Sequence, residues 1–250
     1  MRTLWIAGSG SEIAKALIEH CQSQNHGQSQ GQGQEQGQTA QSVRVISSGR
    51  GPDSAASAHY QTDTREPHSV AELQAFIRRE GTPDAVIVCN GILHNPQNGP
   101  EKSLQELSAD WLQHSLQSNV ISHIHTAQAL APFIKRDSQL RWLSLSAMVG
   151  SISDNQLGGW YSYRMSKAAL NMFIKNLSIE WQRKAPHCLV AAVHPGTTNT
   201  SLSAPFQQNI AAGKLYTPQQ TAQRISDVLL NLQPEQHGHL LHWDGSVLPY

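Results

Sequence analysis

The sequence predicts an α/β protein built on a doubly wound, mostly parallel sheet with helices on both faces, a three-layer αβα arrangement of Rossmann type. Three observations predict it. Short apolar runs of strand length alternate with longer runs of helical pattern. The apolar runs lack the polar alternation of a half-solvated strand, so both faces of the sheet must be covered. Several of the runs end at turns of small or polar residues, where such sheets gather ligand-binding loops at their carboxyl ends.

Residues 3–7 read as the first strand, followed by Gly8-Ser9-Gly10 and a helix over 12–21. The next strand is 43–47. A helix over 71–80 places Leu73, Phe76 and Ile77 on one face. The bare apolar strand 85–89 is bounded by Pro83-Asp84 and Asn90-Gly91, and helical stretches follow over 100–111 and 112–135. Then come a strand at 140–146, a long helix at 161–184, and a strand at 189–193 stopped by His194-Pro195-Gly196. A helix over 217–232 and a short strand at 240–243 complete the chain. The turns after Ala7, Asn90, Ser146 and His194 are expected to face one cleft. Residues 22–42 are mostly Gln, Gly and Ser and carry too little apolar content to bury a face. They read as a disordered insertion in an otherwise single domain spanning 1–250.

Composition narrows the function. Lys plus Arg and Asp plus Glu number 18 each, so no net field recruits nucleic acid or an anionic membrane. No apolar run reaches the length of a membrane span and no secretory leader is visible, which points to a cytoplasmic protein. The 3 cysteines are scattered, forming neither a disulfide framework nor a zinc pattern. The 13 histidines have no metal-ligand spacing, and no metal site is expected. A Gly-x-Ser-x-Gly elbow is absent, which argues against a serine hydrolase.

Three segments carry chemistry. Gly8-Ser9-Gly10-Ser11-Glu12-Ile13-Ala14 opens a helix directly after a strand, where free N–H groups and the helix dipole suit a pyrophosphate. Glu12 and Ala14 stand where a dinucleotide fingerprint prefers glycine. Tyr163 and Lys167 lie four apart on a helix and share a face, so a nearby ammonium is expected to lower the phenol's pKa and ready it as a general acid or base. Ser146 and Ser151 leave the strand before that helix, where a hydroxyl can meet a substrate oxygen. Asn119 sits mid-helix, a poor position by propensity, and residues 195–200 offer hydroxyls and backbone groups to the same cleft.

Together, in this order, the Gly8 to Ala14 turn, Asn90-Gly91, Asn119, Ser146, Tyr163-x-x-x-Lys167 and Pro195-Gly196 resemble the short-chain dehydrogenase/reductase family. The resemblance covers nearly the whole chain except 22–42. The run from Gly150 to Arg164 and the ending Trp243-Asp244-Gly245-Ser246 are similar to the C-factor-like branch, which takes its name from a bacterial cell–cell signalling protein. The resemblance implies that Tyr163 protonates a carbonyl, Lys167 holds the nicotinamide ribose, Ser146 orients the substrate oxygen, and Asn119 holds a proton-relay water. It assigns Gly8, Gly10 and Ile13 to the pyrophosphate and Asp63 to the adenine. Asn90 and Gly91 go to the adenine ribose, and Pro195, Gly196, Thr198 and Thr200 to the carboxamide. The family serine usually occupies the position of Gly150, so Ser146 is preferred and Ser151 is the runner-up. The second strand ends in Ser47-Ser48-Gly49-Arg50 without a carboxylate, so Ser48 and Arg50 suit a 2′-phosphate and favour NADP(H) over NAD(H).

The expected activity is hydride transfer between NADP(H) and a small carbonyl or alcohol. A nucleotide-binding signalling protein with little turnover is the alternative, and a nucleotide-sugar epimerase or dehydratase a third reading. Relatives in the family imply a homodimer or homotetramer.

Overall fold

The computed structural model describes residues 1–27 and 42–250. Its described residues form an eight-stranded sheet in the order β3-β2-β1-β4-β5-β6-β9-β10, plus a two-stranded ribbon. The strands are β1 (Thr3–Ala7), β2 (Arg44–Gly49), β3 (Ala58–Gln61), β4 (Ala85–Val88), β5 (Arg141–Leu145), β6 (Leu189–His194), β9 (Leu240–His242) and β10 (Val247–Leu248). All pair in parallel except β9 with β10. The ribbon pairs β7 (Thr197–Thr198) with β8 (Leu215–Tyr216). The chain runs outward from β1 to β3, then returns to add β4 on the other side. The carboxyl ends of β1 and β4 therefore flank the topological switch point where such sheets bind ligands.

Strand alternation divides the core between the two faces. Leu4 and Ile6 of β1 face α1 (Glu12–Gly27) and α6 (Pro218–Leu230), where Leu17, Ile18, Ala222 and Ile225 are buried. Trp5 and Ala7 face α2 (Ser69–Glu80), α4 (Ser122–Leu130) and α5 (Tyr161–Lys184). There Trp142 and Trp181 meet edge to face at 5.8 Å, both fully buried. Thr217 and Gln220 form a capping box around Pro218 and fix the start of α6. Among the described residues, no helix is long and apolar enough to cross a membrane.

The structure corrects two sequence expectations. Helix α1 continues to Gly27, so the expected insertion begins no earlier than residue 28. Its remainder lies outside the described residues. The helix expected at 100–111 is a short 3-10 turn, Leu104–Glu106, followed by α3 (Ala109–Leu116). The cause is local. Glu101 gives both its carbonyl and its carboxylate to the start of α5, and Ser108 caps Trp111 N–H at 3.4 Å to begin α3 late. Between α3 and α4 the chain makes a π-helical turn, Gln117–Ile121.

Candidate active site

A cleft of about 630 Å³ opens at the carboxyl ends of β1, β4, β5 and β6. Its first wall is the turn after β1, where Gly8, Gly10 and Ile13 line it. Gly8 has φ +80, and a Cβ there would meet Asn90 Oδ1 at 2.8 Å and Asn90 N at 2.9 Å, so only glycine fits. Ser11 caps α1 by accepting the Ala14 N–H at 3.1 Å. Ala14 is fully buried among Leu17, Ile18 and Ile6, which shows that a methyl fits where the fingerprint has glycine. A Cβ on Gly10 would meet nothing within 4 Å, whereas one on Gly49 would lie 2.6 Å from Ser9 Oγ. The tight approach therefore falls on Gly49 of β2, which the sequence did not single out.

Glu12 lines the cleft, but its carboxylate accepts the Ser201 N–H at 2.8 Å. Burial alone would raise this carboxyl, and the Ser201 hydrogen bonds outweigh that and hold it below its ordinary value. At the mouth of the cleft beside β2, Arg50 is exposed and lines the opening. Ser48 does not join it. Its side chain is buried and accepts the Trp5 Nε1–H at 3.0 Å, so the hydroxyl expected at a 2′-phosphate faces the core. Asp63 also stands apart from the cleft lining. Arg65 chelates its carboxylate at 2.5 Å and holds it below the usual range. Its neighbours Thr62 and Thr64 line the cleft instead.

The loop after β4 forms the floor. Asn90 donates through Nδ2 to Thr64 Oγ1 at 3.2 Å, while its Oδ1 is buried without a partner. His123 Nε2 donates to the Asn90 carbonyl at 3.1 Å, which leaves Nδ1 to accept from Ser144 Oγ at 3.0 Å. Ser144 in turn accepts from Trp142 Nε1 at 2.9 Å. The polarity of this chain keeps His123 neutral, and burial pulls its pKa down to about 3. Gly91 lies where a Cβ would be 3.2 Å from Asn119 Oδ1 and 3.4 Å from Lys167 Nζ.

Asn119 falls in the π turn and is fully buried. Its Oδ1 accepts the Ile92 N–H at 2.6 Å, and its Nδ2 donates to Ile92 O at 3.0 Å and Ser166 Oγ at 2.8 Å. It pins the floor loop to α5 and does not itself line the cleft.

Helix α5 brings Tyr163 and Lys167 to the cleft together with Ser146 from the end of β5. Lys167 Nζ donates to Leu145 O at 2.9 Å and lies 5.8 Å from the Tyr163 ring centroid. The pKa expectation is reversed here. Burial pushes the Tyr163 phenol above its usual value and pulls Lys167 down to about 7, because desolvation disfavours both charged forms. Tyr163 is therefore held as a protonated donor. Ser146 Oγ donates to Asn171 Oδ1 at 2.7 Å. Ser151 is buried away from the cleft, where its Oγ accepts the Asp154 N–H at 3.2 Å.

Pro195 and Thr200 line the far wall. Gly196 and Thr198 do not. A Cβ on Gly196 would lie 2.9 Å from the Tyr216 ring, so this glycine serves packing, and Thr198 pairs with Thr221 at 2.8 Å.

Sequence reasoning missed three further residues. His123 was legible, since it lies four after Asn119 and shares its helix face. Trp160 follows two glycines of positive φ and is itself left-handed, at φ 51 and ψ 40. That backbone costs an L-residue about 1–2 kcal/mol. Glu101, 3% exposed, caps α5 by accepting the Ser162 N–H at 3.1 Å, and nothing in the sequence links residues so far apart.

A parallel sheet ordered 3-2-1-4-5-6, with a glycine turn at its switch point and a Tyr/Lys/Ser group across the same cleft, defines a nucleotide-dependent oxidoreductase. The family described as short chain dehydrogenase matches residues 4–211, and the chain belongs to that family. It is accordingly an NAD(P)-dependent dehydrogenase or reductase. It is 29% identical to the 1-hydroxy-2-glutathionyl-2-methyl-3-butene dehydrogenase of Rhodococcus sp. (strain AD45), over 75% of this chain and 78% of that protein. It is 26% identical to the C-signal protein of Myxococcus xanthus, over 53% of this chain and 74% of that protein. The NADPH-bound carbonyl reductase from chicken fatty liver superposes with a TM-score of 0.78 at 19% identity, covering 100% of this chain and 94% of the other, and so shares the fold.

Proposed function

We propose that the protein is an NADP(H)-dependent reductase of small carbonyl compounds, or the reverse alcohol dehydrogenase. The observation that carries this reading is the convergence of Tyr163, Lys167 and Ser146 on the cleft that also holds Gly8, Asn90 and Arg50. The cleft suits a dinucleotide on its own evidence: the Gly10 backbone on its wall is open, with nothing within 4 Å of where a Cβ would stand, and Asn90 Oδ1 is a buried acceptor awaiting a donor. Bound NADP(H) supplies the hydride chemistry.

The chain's residues supply the rest. Gly8, Gly10 and Ile13 shape the pyrophosphate turn, and Asn90 and Gly91 border the ribose. Pro195 and Thr200 close the nicotinamide end. Arg50 meets a 2′-phosphate, since Asp53 accepts from Ser47 Oγ at 2.6 Å and from Ala55 N–H at 3.0 Å, and Asp63, which feels the Arg50 charge, is chelated by Arg65. The NADPH bound to the chicken reductase supports the same choice.

Tyr163 delivers its phenolic proton to the substrate oxygen. Its raised pKa keeps that proton in place until an oxyanion develops beside it. Ser146 orients the same oxygen after its hydroxyl swings from Asn171, and its place on the cleft favours it over Ser151. Lys167 neighbours Tyr163 and the ribose, and Asn119 positions the floor loop against both. The exposed Met165, Met172 and Ile179, spaced at sevens along α5, support a homodimer or homotetramer through that helix. The 3 free, buried cysteines suit a reducing cytoplasm.

Tryptophan-fluorescence titration with NADPH and NADH tests the reading. Arg50→Ala is expected to weaken NADPH at least tenfold and leave NADH unchanged, the loss of one or two charge-assisted hydrogen bonds, about 1.5–3 kcal/mol. Folded protein that binds neither nucleotide would overturn the reading in favour of a signalling role.

A further inference from the structure

Four rings form an arc around the reacting end of the cleft. Tyr163 meets Trp160 at 6.2 Å, Trp160 meets Phe206 at 5.2 Å, and Phe206 meets His94 edge-on at 5.8 Å. The two ends of the arc, Tyr163 and His94, line the cleft, together with Leu93 and Leu202.

The arc is built at some expense. Trp160 is the non-glycine residue of positive φ among the described residues, and Glu101 holds it there by accepting its N–H at 2.5 Å. Gly159, also at positive φ, lets the backbone pass Glu101 O, where a Cβ would stand 3.3 Å away. The Glu101 carboxylate then caps the first turn of α5, so one buried residue sets both the indole and the Tyr163 backbone. On the opposite side, Ser201 is tied twice. Its N–H is held by Glu12, and its carbonyl accepts from His94 Nε2 at 3.2 Å. That double tie seats the segment carrying Phe206. A strained backbone held by the main-chain carbonyl of a buried residue, beside a catalytic group, points to a function for the side chain it presents.

We infer that Trp160, Phe206 and His94 are specificity-determining residues that select carbonyl compounds bearing a flat aromatic ring on the reacting carbon. This rests on the reductase reading. The Tyr163 and His94 rings border the cleft, and Trp160 and Phe206 pack against them and set their orientation, so ring edges and faces at this end reward a planar aromatic group through offset and edge-to-face contacts. A saturated ring of the same size buries a similar area without that electrostatic match. Leu93 and Leu202 exclude water from the same end and add no donor or acceptor that would favour a hydroxylated or charged substrate.

The test compares acetophenone with cyclohexyl methyl ketone on the NADPH-loaded full chain, in wild type, Phe206→Leu, Trp160→Leu and Trp160→Phe. The quantity read is the ratio of the two kcat/KM values, so that intrinsic ketone reactivity cancels between proteins. Phe206→Leu and Trp160→Leu are expected to lower the ratio about tenfold, and Trp160→Phe to keep most of it. NADPH affinity should stay unchanged throughout. Should Trp160→Leu fail to fold, Phe206→Leu alone decides.

A ratio unmoved in the folded leucine variants would overturn the inference. If neither ketone turns over, calorimetric binding to the NADPH complex replaces kcat/KM. Aryl-selective binding that Phe206→Leu abolishes would uphold the aromatic subsite while refuting the reductase reading. Equal binding of the two ketones, or none, would overturn the subsite itself.

Discussion

Replacing Lys167 with methionine should change how the protein's stability responds to pH. Lys167 is 3% exposed, and burial draws its pKa from 10.5 to about 7. In the unfolded chain it titrates near its ordinary value. Between about 7 and 10.5 the folded protein holds the amine neutral while the unfolded chain holds it charged. The unfolded state therefore binds the extra proton, and folding stability rises with pH at about 1.4 kcal/mol per unit. The penalty of a buried lysine is complete below pH 7, where it reaches about 5 kcal/mol, and fades as the pH approaches 10.5.

Methionine removes this dependence. It also leaves Leu145 O without its donor, a loss of about 1–3 kcal/mol that does not vary with pH. Urea unfolding without added nucleotide, followed by tryptophan fluorescence at pH 7, 8 and 9, gives the assay. The stability of wild type relative to Lys167→Met should climb by about 2 kcal/mol across that range, since the slope is halved at pH 7 where the folded amine is half-protonated. Cys89 and the other groups that titrate there occur in both proteins, so the lysine dominates the difference; its charge also favours the Cys89 thiolate, a smaller effect than the burial that pushes that thiol up. Parallel pH profiles for the two proteins would refute the claim that burial, rather than the neighbouring phenol, governs this amine.

Other outcomes follow from the same geometry. Tyr163→Phe should lower kcat for ketone reduction by about 10²–10⁴ while nucleotide titration returns an unchanged Kd. Gly8→Ala places a methyl against Asn90 in a left-handed backbone, so thermal unfolding should show a loss of at least about 1–2 kcal/mol, with NADPH affinity reduced more than tenfold. His123→Leu orphans the Asn90 carbonyl and the Ser144 hydroxyl. It should cost about 1–3 kcal/mol in denaturant unfolding and raise the NADPH Kd.

The sheet was legible because its strands advertise themselves. The four-residue run from Ala85 to Val88 is buried on both faces, and no polar residue interrupts it. The long helix from Tyr161 to Lys184 was read with its bounds intact, since its start is set by glycines and its end by Ala185-Pro186. What failed were properties that depend on partners distant in sequence. Residues 100–111 have helical composition, but Glu101 is claimed by Ser162, which no local pattern announces. Ser48 looked like a ligand residue because strand ends often are, yet the larger Trp5 indole on the adjacent strand took its hydroxyl. The Tyr163 pKa was misjudged for a related reason. Spacing reveals that an ammonium is near, and only the packed structure reveals how little water remains around the pair. The spacing of Tyr163 and Lys167 nonetheless placed both on one cleft, as the i, i+4 rule requires.

The π turn at Gln117–Ile121 has a consequence for how this chain can change length. A π turn holds one residue more than the α-helix around it. Deleting one residue inside it would close the turn to ordinary α-helix and leave the residues after it on their faces, whereas a deletion in the α-helical turns before it would swing everything after it by about 100°. His123 would leave Asn90, Thr126 and Leu130 would exchange core for solvent, and Asn119 would lose Ile92. Point substitutions at the exposed positions of this stretch can be absorbed one at a time, as can a one-residue deletion inside the π turn, but a deletion in the α-helical turns on either side cannot. Variants of this protein recovered by selection for activity should therefore vary in sequence across residues 109–130 and lose a residue, where they lose one, only within 117–121.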